Sequence, residues 1–230
     1  MTLSEVSRSH AVARATLREW VNTGGAYSAR FVACPRDEEM DGSAYGHLLG
    51  LYLGDGCLSR HPRSVYALRV ACDARYQRLI QECTDSIRQL VPSSVTINPA
   101  PGCVQVTAYS KHWPCLFPQH GAGRKHERSI VLGPWQVEIV ERYPGRFVKG
   151  LFHSDGCRIT NWTERVVGGE LKRYEYPRYF FTNYSDDILK LCEWALDLLG
   201  VDHRRSNTRN ISVARRPSVA LLDEHVGAKR

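Results

Sequence analysis

Two aspartates, Asp55 and Asp155, lie at the same position of two related nine-residue segments. The segments are 48–56, with the sequence LLGLYLGDG, and 148–156, with the sequence VKGLFHSDG, so the second begins 100 residues after the first. Each segment predicts an apolar helix that ends at Asp-Gly. If the two helices pack side by side, the carboxylates meet on a pseudo-twofold axis and share divalent metal, which suits hydrolysis of a phosphodiester.

Small residues in both segments predict that the two helices approach closely. Each segment has glycine at its third position, Gly50 and Gly150, and a small residue four positions later, Gly54 and Ser154. One face of each helix is therefore nearly free of side chains. Two such faces pack backbone against backbone.

The terminal glycines and the acids beside them predict a cation site. Gly56 and Gly156 suit the left-handed backbone conformation that ends many helices. Each aspartate then faces the negative end of its helix dipole, where an acid is locally unfavourable. A bound cation explains this placement better than stability does, and Mg²⁺ commonly binds one or two carboxylates together with phosphate oxygens. We therefore expect Mg²⁺, or Mn²⁺ in its place.

The two segments resemble the paired motifs of the LAGLIDADG homing endonucleases of the single-chain, two-repeat kind, over roughly residues 43 to 225. The resemblance implies an α+β fold of two pseudo-symmetric αββαββα repeats. Their curved antiparallel sheets straddle double-stranded DNA, and the motif helices pack at the repeat interface. It also implies a site-specific double-strand cut, with one aspartate per repeat and the backbone oxygens of Gly54 and Ser154 as further metal ligands.

The sequence after each motif follows one plan twice. After the first motif we predict a strand at 64–70, a helix at 73–90 and strands near 95–97 and 104–108; after the second, a strand at 174–183, a helix at 188–199 that begins at Ser185, and a late strand at 211–213.

Two basic residues follow the late strands of the two repeats at similar places, Lys111 and Arg216. The resemblance implies that a basic residue near this point organises the metal-bound water or stabilises charge on the phosphate. The alternative for both residues is a solvated surface cation.

A polyanionic partner agrees with the formal net charge of +7. On the strands that the resemblance places over DNA, period-2 alternation decides which side chains face the groove. The candidates for base or phosphate contact are Arg60, Arg69, Arg158, Thr160, Lys172, Arg178 and Asn183.

The chain divides by its sequence pattern into five segments. Residues 1–22 resemble a helix-turn-helix, 23–42 a linker, 43–117 the first repeat, 118–134 a connector and 135–230 the second repeat. In the first segment Arg14, Thr16 and Arg18 would contact DNA. The alternative is an amphipathic helical pair that packs against the repeats, because so short a unit is unstable alone.

Histidine and cysteine patterns give no further site. His112, His120 and His126 fit no ligand spacing and are expected to be solvent-exposed loop histidines. His153 has Leu53 as its counterpart, which favours packing. The eight cysteines include no Cys-x-x-Cys pair, so we expect reduced thiols.

We expect a monomeric protein of the cytoplasm, in a prokaryotic host, without a membrane partner. The N-terminus shows no signal-peptide pattern, and no run of about 18 apolar residues occurs. Two functional alternatives keep the same scaffold: a non-catalytic DNA-binding transcriptional regulator, and an RNA maturase. The first usually lacks the two acids that this chain retains.

Overall fold

The computed structural model describes residues 2–10, 14, 17, 18, 21, 34, 36, 40–227 and 229. The chain forms two compact units, Met1–Cys34 and Pro35–Arg230. The first unit contains helix α1 (Leu3–His10). Arg14 and Arg18 are exposed, whereas Thr16 and most of the predicted linker 23–42 lie outside the described residues. The helix-turn-helix interpretation therefore stays a prediction.

The second unit contains the αββαββα order twice. The first copy consists of α2 (Gly42–Asp55), β1 (Gly56–His61), β2 (Val65–Asp73), α3 (Gln77–Leu90), β3 (Val95–Ala100), β4 (Cys103–Ser110) and α4 (Trp113–Leu116). Helix α5 (Pro134–Arg142) precedes the second copy, which consists of α6 (Pro144–Asp155), β5 (Gly156–Val167), β6 (Glu170–Thr182), α7 (Asp186–Leu198), β7 (Arg204–Asn207), β8 (Asn210–Val213) and α8 (Arg216–His225). The predicted fold class is confirmed.

Each copy forms its own antiparallel sheet, and the two sheets have the same strand order. The orders are β1-β2-β4-β3 and β5-β6-β8-β7. The hairpins differ in length, since β5 and β6 have 12 and 13 residues and β1 and β2 have 6 and 9. The second sheet therefore projects further than the first.

Helix α2 is buried almost all round, which explains its apolar sequence. Every residue from Ala44 to Leu53 is buried. A helix that is apolar on all sides belongs inside a core, and α2 packs against α3 on one side and α6 on another. Its N-terminus is capped by Asp41, whose carboxylate accepts a hydrogen bond from the Ala44 amide at 2.9 Å.

The connector 118–134 is an ordered part of the molecule rather than a simple surface link. It includes a short 3₁₀ helix, Lys125–Glu127. Buried Gln119 donates to the side-chain oxygen of Gln136 in α5 at 2.6 Å, and Gln136 donates to the hydroxyl of buried Tyr45 at 2.5 Å. Because each partner in this network is buried, the contacts hold the connector against α2.

Several predicted details are confirmed and several need correction. Ser185 caps α7, with its hydroxyl accepting from the Ile188 amide at 3.4 Å. The first-repeat helix begins at Gln77 rather than residue 73, because strand β2 continues through Asp73. The strand predicted at 174–183 is β6, which ends before Asn183.

The expected left-handed conformation of Gly56 and Gly156 is wrong. Their φ values are −89° and −101°, in the extended region, and each glycine begins a strand directly. What requires glycine is space: a Cβ would lie 2.5 Å from Tyr52 Cα at Gly56 and 2.6 Å from Phe152 Cα at Gly156. The last helical turn is too close for any side chain.

Among the described residues, no helix combines the length and the apolar character that a membrane crossing requires.

Candidate functional site

The paired motif helices, α2 and α6, meet at their glycines as predicted. A Cβ at Gly50 would lie 2.7 Å from the Leu151 amide nitrogen and 2.9 Å from the Gly150 carbonyl carbon. A Cβ at Gly150 would lie 2.9 Å from Gly50 Cα. Since these distances are to backbone atoms, no larger residue fits without separating the helices.

This close packing brings the two C-terminal ends of the helices together. A Cβ at Gly54 would lie 2.5 Å from Ser154 Cβ and 3.0 Å from Asp155 Oδ2. The carboxylate of the second motif thus lies over the backbone of the first. Asn183, which follows β6, donates from its side-chain amide to Asp155 Oδ2 at 2.7 Å.

The pKa values of both aspartates are raised at this position. Partial burial and, to a smaller extent, the charge of Asp55 together raise the pKa of Asp155 to about 6, against the lowering effects of Asn183 and two lysines. Partial loss of hydration also raises the pKa of Asp55, while Lys125 and Lys229 lower it. The protein holds two acids together at an electrostatic cost, as functional sites often do.

Lys125 binds the end of the first motif helix. Its ammonium donates to the carbonyl oxygens of Tyr52, of Leu53 at 3.1 Å and of Gly54 at 3.0 Å. Burial lowers the pKa of Lys125 to about 8, and the charges of Asp155 and Asp55 oppose this shift. A cation at the negative end of a helix dipole is favourable, so the lysine offsets part of the cost of the acids.

Lys229 occupies the corresponding place on the second motif helix. Its ammonium donates to the Ser154 carbonyl at 3.2 Å. Burial lowers its pKa, and the nearby charges of Asp55 and Asp155 raise it. The two backbone oxygens that the resemblance assigns to metal, those of Gly54 and Ser154, therefore each accept a hydrogen bond from a lysine.

The connector loop that contains Lys125 is braced by Arg128. The guanidinium of Arg128 donates to the carbonyls of Gln119 at 3.2 Å and Gly123 at 2.7 Å. The Arg124 amide donates to the Glu127 carboxylate at 3.2 Å, which closes the 3₁₀ turn around the lysine. These bonds fix the loop, so Lys125 is positioned before any ligand arrives.

Two cavities flank the helix tips, and each contains one of the two motif aspartates and one lysine. A cavity of 650 Å³ is lined by Asp155, Asn183 and Lys125, and a cavity of 550 Å³ by Asp55, Lys229 and Asp73. His120 and His126 of the connector lie at the first cavity. The arrangement gives two comparable chemical centres related by the internal repeat.

The structure brings some of the predicted site residues together and leaves others apart. Asp55, Asp155, Gly54, Ser154 and Asn183 meet at the helix tips. Lys111 and Arg216 are exposed, and within the described part of the chain neither contacts an aspartate.

Sequence reasoning missed Lys125 and Lys229. They follow the oxygens that they bind by 71 and 75 residues, a near-equal spacing in the two repeats that was the available signal.

Strand register separates the candidate DNA contacts into two faces. Arg69 pairs with Cys57 and Thr107, on the face opposite the core, and Lys172 and Arg178 pair with Arg165 and Ile159 on the same face of the second sheet. Arg60, Arg158 and Thr160 lie on the core-side face, where their pairing partners are Tyr66, Tyr179 and Pro177.

Arg158 already has a partner within the protein. Its guanidinium donates to both carboxylate oxygens of Asp223 in α8, at 2.7 and 2.9 Å. Arg178 donates to the Ser212 hydroxyl at 2.8 Å, on the opposite face of the sheet. Of the two, Arg178 is the better placed for an external ligand.

The donor atoms at the helix tips fit a hard divalent cation. The set consists of two carboxylates and two backbone carbonyls, all oxygen, which Mg²⁺ and Mn²⁺ prefer. Burial raises the pKa values of both acids although the two lysines lower them, and a divalent ion would favour the ionised carboxylates. Asp55, Asp155, Gly54 and Ser154 thus remain the residues that would hold such an ion, with the lysines displaced from the carbonyls.

Neither a protein-family model nor a curated protein matches the sequence. The fold of the chain does match solved structures. I-DmoI in complex with DNA and Mn matches with a TM-score of 0.52 and 14% identity, over 82% of this chain and 98% of that one. The homing endonuclease I-WcaI bound to its DNA recognition sequence matches with a TM-score of 0.50 and 12% identity, over 88% of both chains.

A third match is the N-terminal LAGLIDADG domain of DUF199/WhiA, with a TM-score of 0.50 and 16% identity, over 82% of this chain and 84% of that one. The matched chains share few residues with this one, but its α+β architecture with two four-stranded antiparallel sheets matches their LAGLIDADG fold. The chain therefore has the LAGLIDADG fold.

Proposed function

We propose that this protein is a site-specific endonuclease that cuts both strands of duplex DNA with Mg²⁺ or Mn²⁺. The observation that supports the proposal most strongly is the pair of aspartates at the helix tips, each facing its own cavity with a lysine. Glycines at the helix contact force the acids together although their pKa values rise. Function explains this better than stability does.

The metal ligands and the lysine would have different roles in phosphodiester hydrolysis. A bound ion held by Asp55, Asp155 and the two carbonyls would lower the pKa of water and offset charge on the phosphate. Lys125, with a pKa of about 8, has a neutral fraction near physiological pH that accepts a proton. Its charged form stabilises negative charge on the phosphate.

Two cavities related by the repeat fit the two strands of a duplex. The chain supplies both aspartates itself, so one copy is sufficient for a double-strand cut. We therefore infer that the protein acts as a monomer.

The DNA surface that we propose is the face of the two sheets opposite the core. In the first sheet it includes Arg69, Asn98 and Gln105, and in the second Arg178 and Lys172. Basic groups there hold phosphates, and amide side chains read base edges. The net charge of +7 adds a salt-sensitive attraction to the DNA backbone.

The experiment is cleavage of a randomised-site duplex library by the purified full chain with Mg²⁺. Asp55→Asn and Asp155→Asn are compared with Asp85→Asn, a half-exposed aspartate on α3 that serves as the matched control. We expect cuts by the wild type and the control, and loss of cuts in both motif variants. Cuts that persist in both motif variants would refute the catalytic assignment.

A DNA-binding regulator on the same scaffold is the second candidate. The observation that favours it is that Lys125 and Lys229 already bind the carbonyls that a metal would use. A regulator would bind the library tightly and in a salt-sensitive way, without cuts and with no change in either aspartate variant. An RNA maturase would instead prefer structured RNA to duplex DNA.

A further inference from the structure

A second cluster of ligand-type side chains lies inside the protein, away from the oxygen-rich tip. It consists of His47 on α2, Glu82 on α3 and His153 on α6. His47 is fully buried and His153 is 6% exposed. One ligand atom from each of the three residues lies within 4.8 Å of the others, and His153 Nδ1 is 3.9 Å from Glu82 Oε2.

The ligand atoms of this cluster lack hydrogen bonds. His47 Nε2, Glu82 Oε2 and His153 Nδ1 are all buried without a hydrogen-bond partner. The Lys149 ammonium donates to Glu82 Oε1 at 2.9 Å and also lies 2.8 Å from Oε2, so it neutralises the carboxylate from one side. Because buried polar atoms are nearly always satisfied, two imidazole nitrogens that lie near one carboxylate oxygen without a partner of their own indicate a missing ligand.

The second nitrogen of each imidazole is held in place. His153 Nε2 lies 3.0 Å from the Val226 carbonyl, and His47 Nδ1 lies 2.9 Å from the Ser86 hydroxyl. A carbonyl only accepts, so His153 Nε2 must carry the proton and neutral His153 presents the lone pair of Nδ1 to Glu82. Second contacts of this kind orient histidines that bind metals.

A metal cation between the two imidazole nitrogens and Glu82 Oε2 would give each of these atoms a partner. Without one, the Nδ1 lone pair of neutral His153 lies 3.9 Å from Glu82 Oε2, and the ammonium of Lys149 contacts that oxygen but donates no hydrogen bond to the imidazole. A metal ion would take the place of Lys149 at Oε2 and would bind both imidazole nitrogens as well. Burial keeps the pKa of His47 well below its ordinary value, so its imidazole is neutral as a metal ligand requires.

We propose that His47, Glu82 and His153 form a binding site for a transition-metal ion, for which zinc is the best match. Two imidazoles and one carboxylate, with a fourth position open, are a known zinc ligand set. Ligands of a tetrahedral zinc ion lie about 3.4 Å apart, so the side chains need to close by about 1.5 Å at most.

The site has a route to solvent and a clear structural consequence. A cavity of 200 Å³ is lined by Glu82, His153 and Lys149, and it supplies room for a water as the fourth ligand. The ion would join α2 and α3 of the first repeat to α6 of the second. It would therefore stabilise the repeat interface, and it is chemically distinct from the all-oxygen tip, which favours magnesium.

The test uses the full chain, stripped with a chelator and kept reduced, and titrated with Co²⁺ and Zn²⁺. We expect one tightly bound equivalent, cobalt bands without thiolate charge transfer, and a higher melting temperature with zinc. Glu82→Gln and His153→Gln should each weaken this binding by at least about 100-fold. His126→Gln, an exposed connector histidine, is the matched control and should bind like the wild type.

Asp55→Asn with Asp155→Asn should also retain the zinc equivalent, which separates this site from the proposed active centre. Circular dichroism and DNA binding establish that each variant is folded. The proposal would be overturned by a wild type that binds no stoichiometric zinc, by thiolate bands in the cobalt spectrum, or by unchanged affinity in folded Glu82→Gln and His153→Gln.

Discussion

The two repeats agree in their backbone and differ in the side chains that they add to it. Both end their motif helix at an aspartate, and both place a lysine on the carbonyl before it. Lys125 binds three carbonyls from a braced loop, whereas Lys229 donates to the one carbonyl of Ser154. The cavity of Lys125 and Asp155 is therefore the better organised of the two centres.

The two repeats are therefore most alike where the motif helices touch and least alike at the two cavities beside the helix tips. Backbone contacts at the glycines leave no freedom, because larger residues collide with main-chain atoms. Side chains from the connector and the C-terminal segment have no such constraint. Backbone changes should thus act equally in the two repeats, and changes to the lysines should act unequally.

The largest expected effect is on stability, from Gly50→Ala or Gly150→Ala. Each added methyl group collides with backbone of the partner helix, and we expect a loss of roughly 3 kcal/mol in the free energy of unfolding for either variant. Denaturant unfolding measures it. Gly46→Ala is the control in the same helix, since its Cβ would be 3.8 Å from its nearest neighbours. A much smaller loss of stability for one variant than for the other would contradict the claim that the backbone contacts constrain both repeats equally.

Lys125→Met should slow cleavage more than Lys229→Met. We expect about a 100-fold loss for Lys125→Met, typical of removing one charge-stabilising donor, and a smaller loss for Lys229→Met. Single-turnover cleavage of the selected site measures both rates, with Lys111→Met as the exposed control. Equal losses, or a larger loss at Lys111, would contradict the ranking of the two centres.

Asp155→Asn should stabilise the metal-free protein at neutral pH. The folded-state pKa of Asp155 is raised to about 6, so ionisation disfavours folding above that pH. The penalty is absent below the ordinary value near 3.8 and complete above about pH 6. We expect a gain on the order of 1 to 3 kcal/mol at neutral pH in chelator, and almost none near pH 4.

This prediction is tested by the melting temperatures of the wild type and Asp155→Asn across this pH range, with Asp85→Asn as the control. A gain that is constant with pH would mean that charge at Asp155 is not the cause.

The smallest expected effects are on DNA affinity, and they distinguish the two faces of the second sheet. Arg178→Gln should weaken DNA binding several-fold and reduce its salt dependence by about one ion, because it removes one phosphate contact. Arg158→Gln should leave binding unchanged, because its guanidinium is paired with Asp223 on the core-side face. Fluorescence anisotropy at several salt concentrations measures both, and the reverse order would place DNA on the other face.

The fold and the central acids were predictable from the sequence because they leave local or repeated patterns. Period-2 strands and the Ser185 cap indicated single elements, and the doubled motif indicated the meeting of Asp55 with Asp155. The complete αββαββα order was implied by the family resemblance that the two motifs carry. Gly50 and Gly150 were identifiable as the helix contact because small residues recur at a fixed spacing in both motifs.

The remaining features depend on contacts between distant segments. Lys125 reaches the Gly54 carbonyl across 71 residues of chain, and nothing near it in the sequence marks that role. His153 was expected to serve packing and is buried, but the sequence did not show that its imidazole lies beside His47 and Glu82 from two other helices. The conformation of Gly56 was mispredicted because Asp-Gly suggests a left-handed cap, whereas the structure requires glycine for close approach to Tyr52.

The most direct test of the central claim is strand-resolved cleavage of a duplex that contains the selected site, with each strand labelled separately. We predict that the wild type with Mg²⁺ cuts both strands, at unequal rates because the two cavities differ, and that Asp55→Asn and Asp155→Asn each abolish the cut of at least one strand. Salt-sensitive binding without any cut, unchanged by either substitution, would contradict the nuclease assignment and leave a DNA-binding protein.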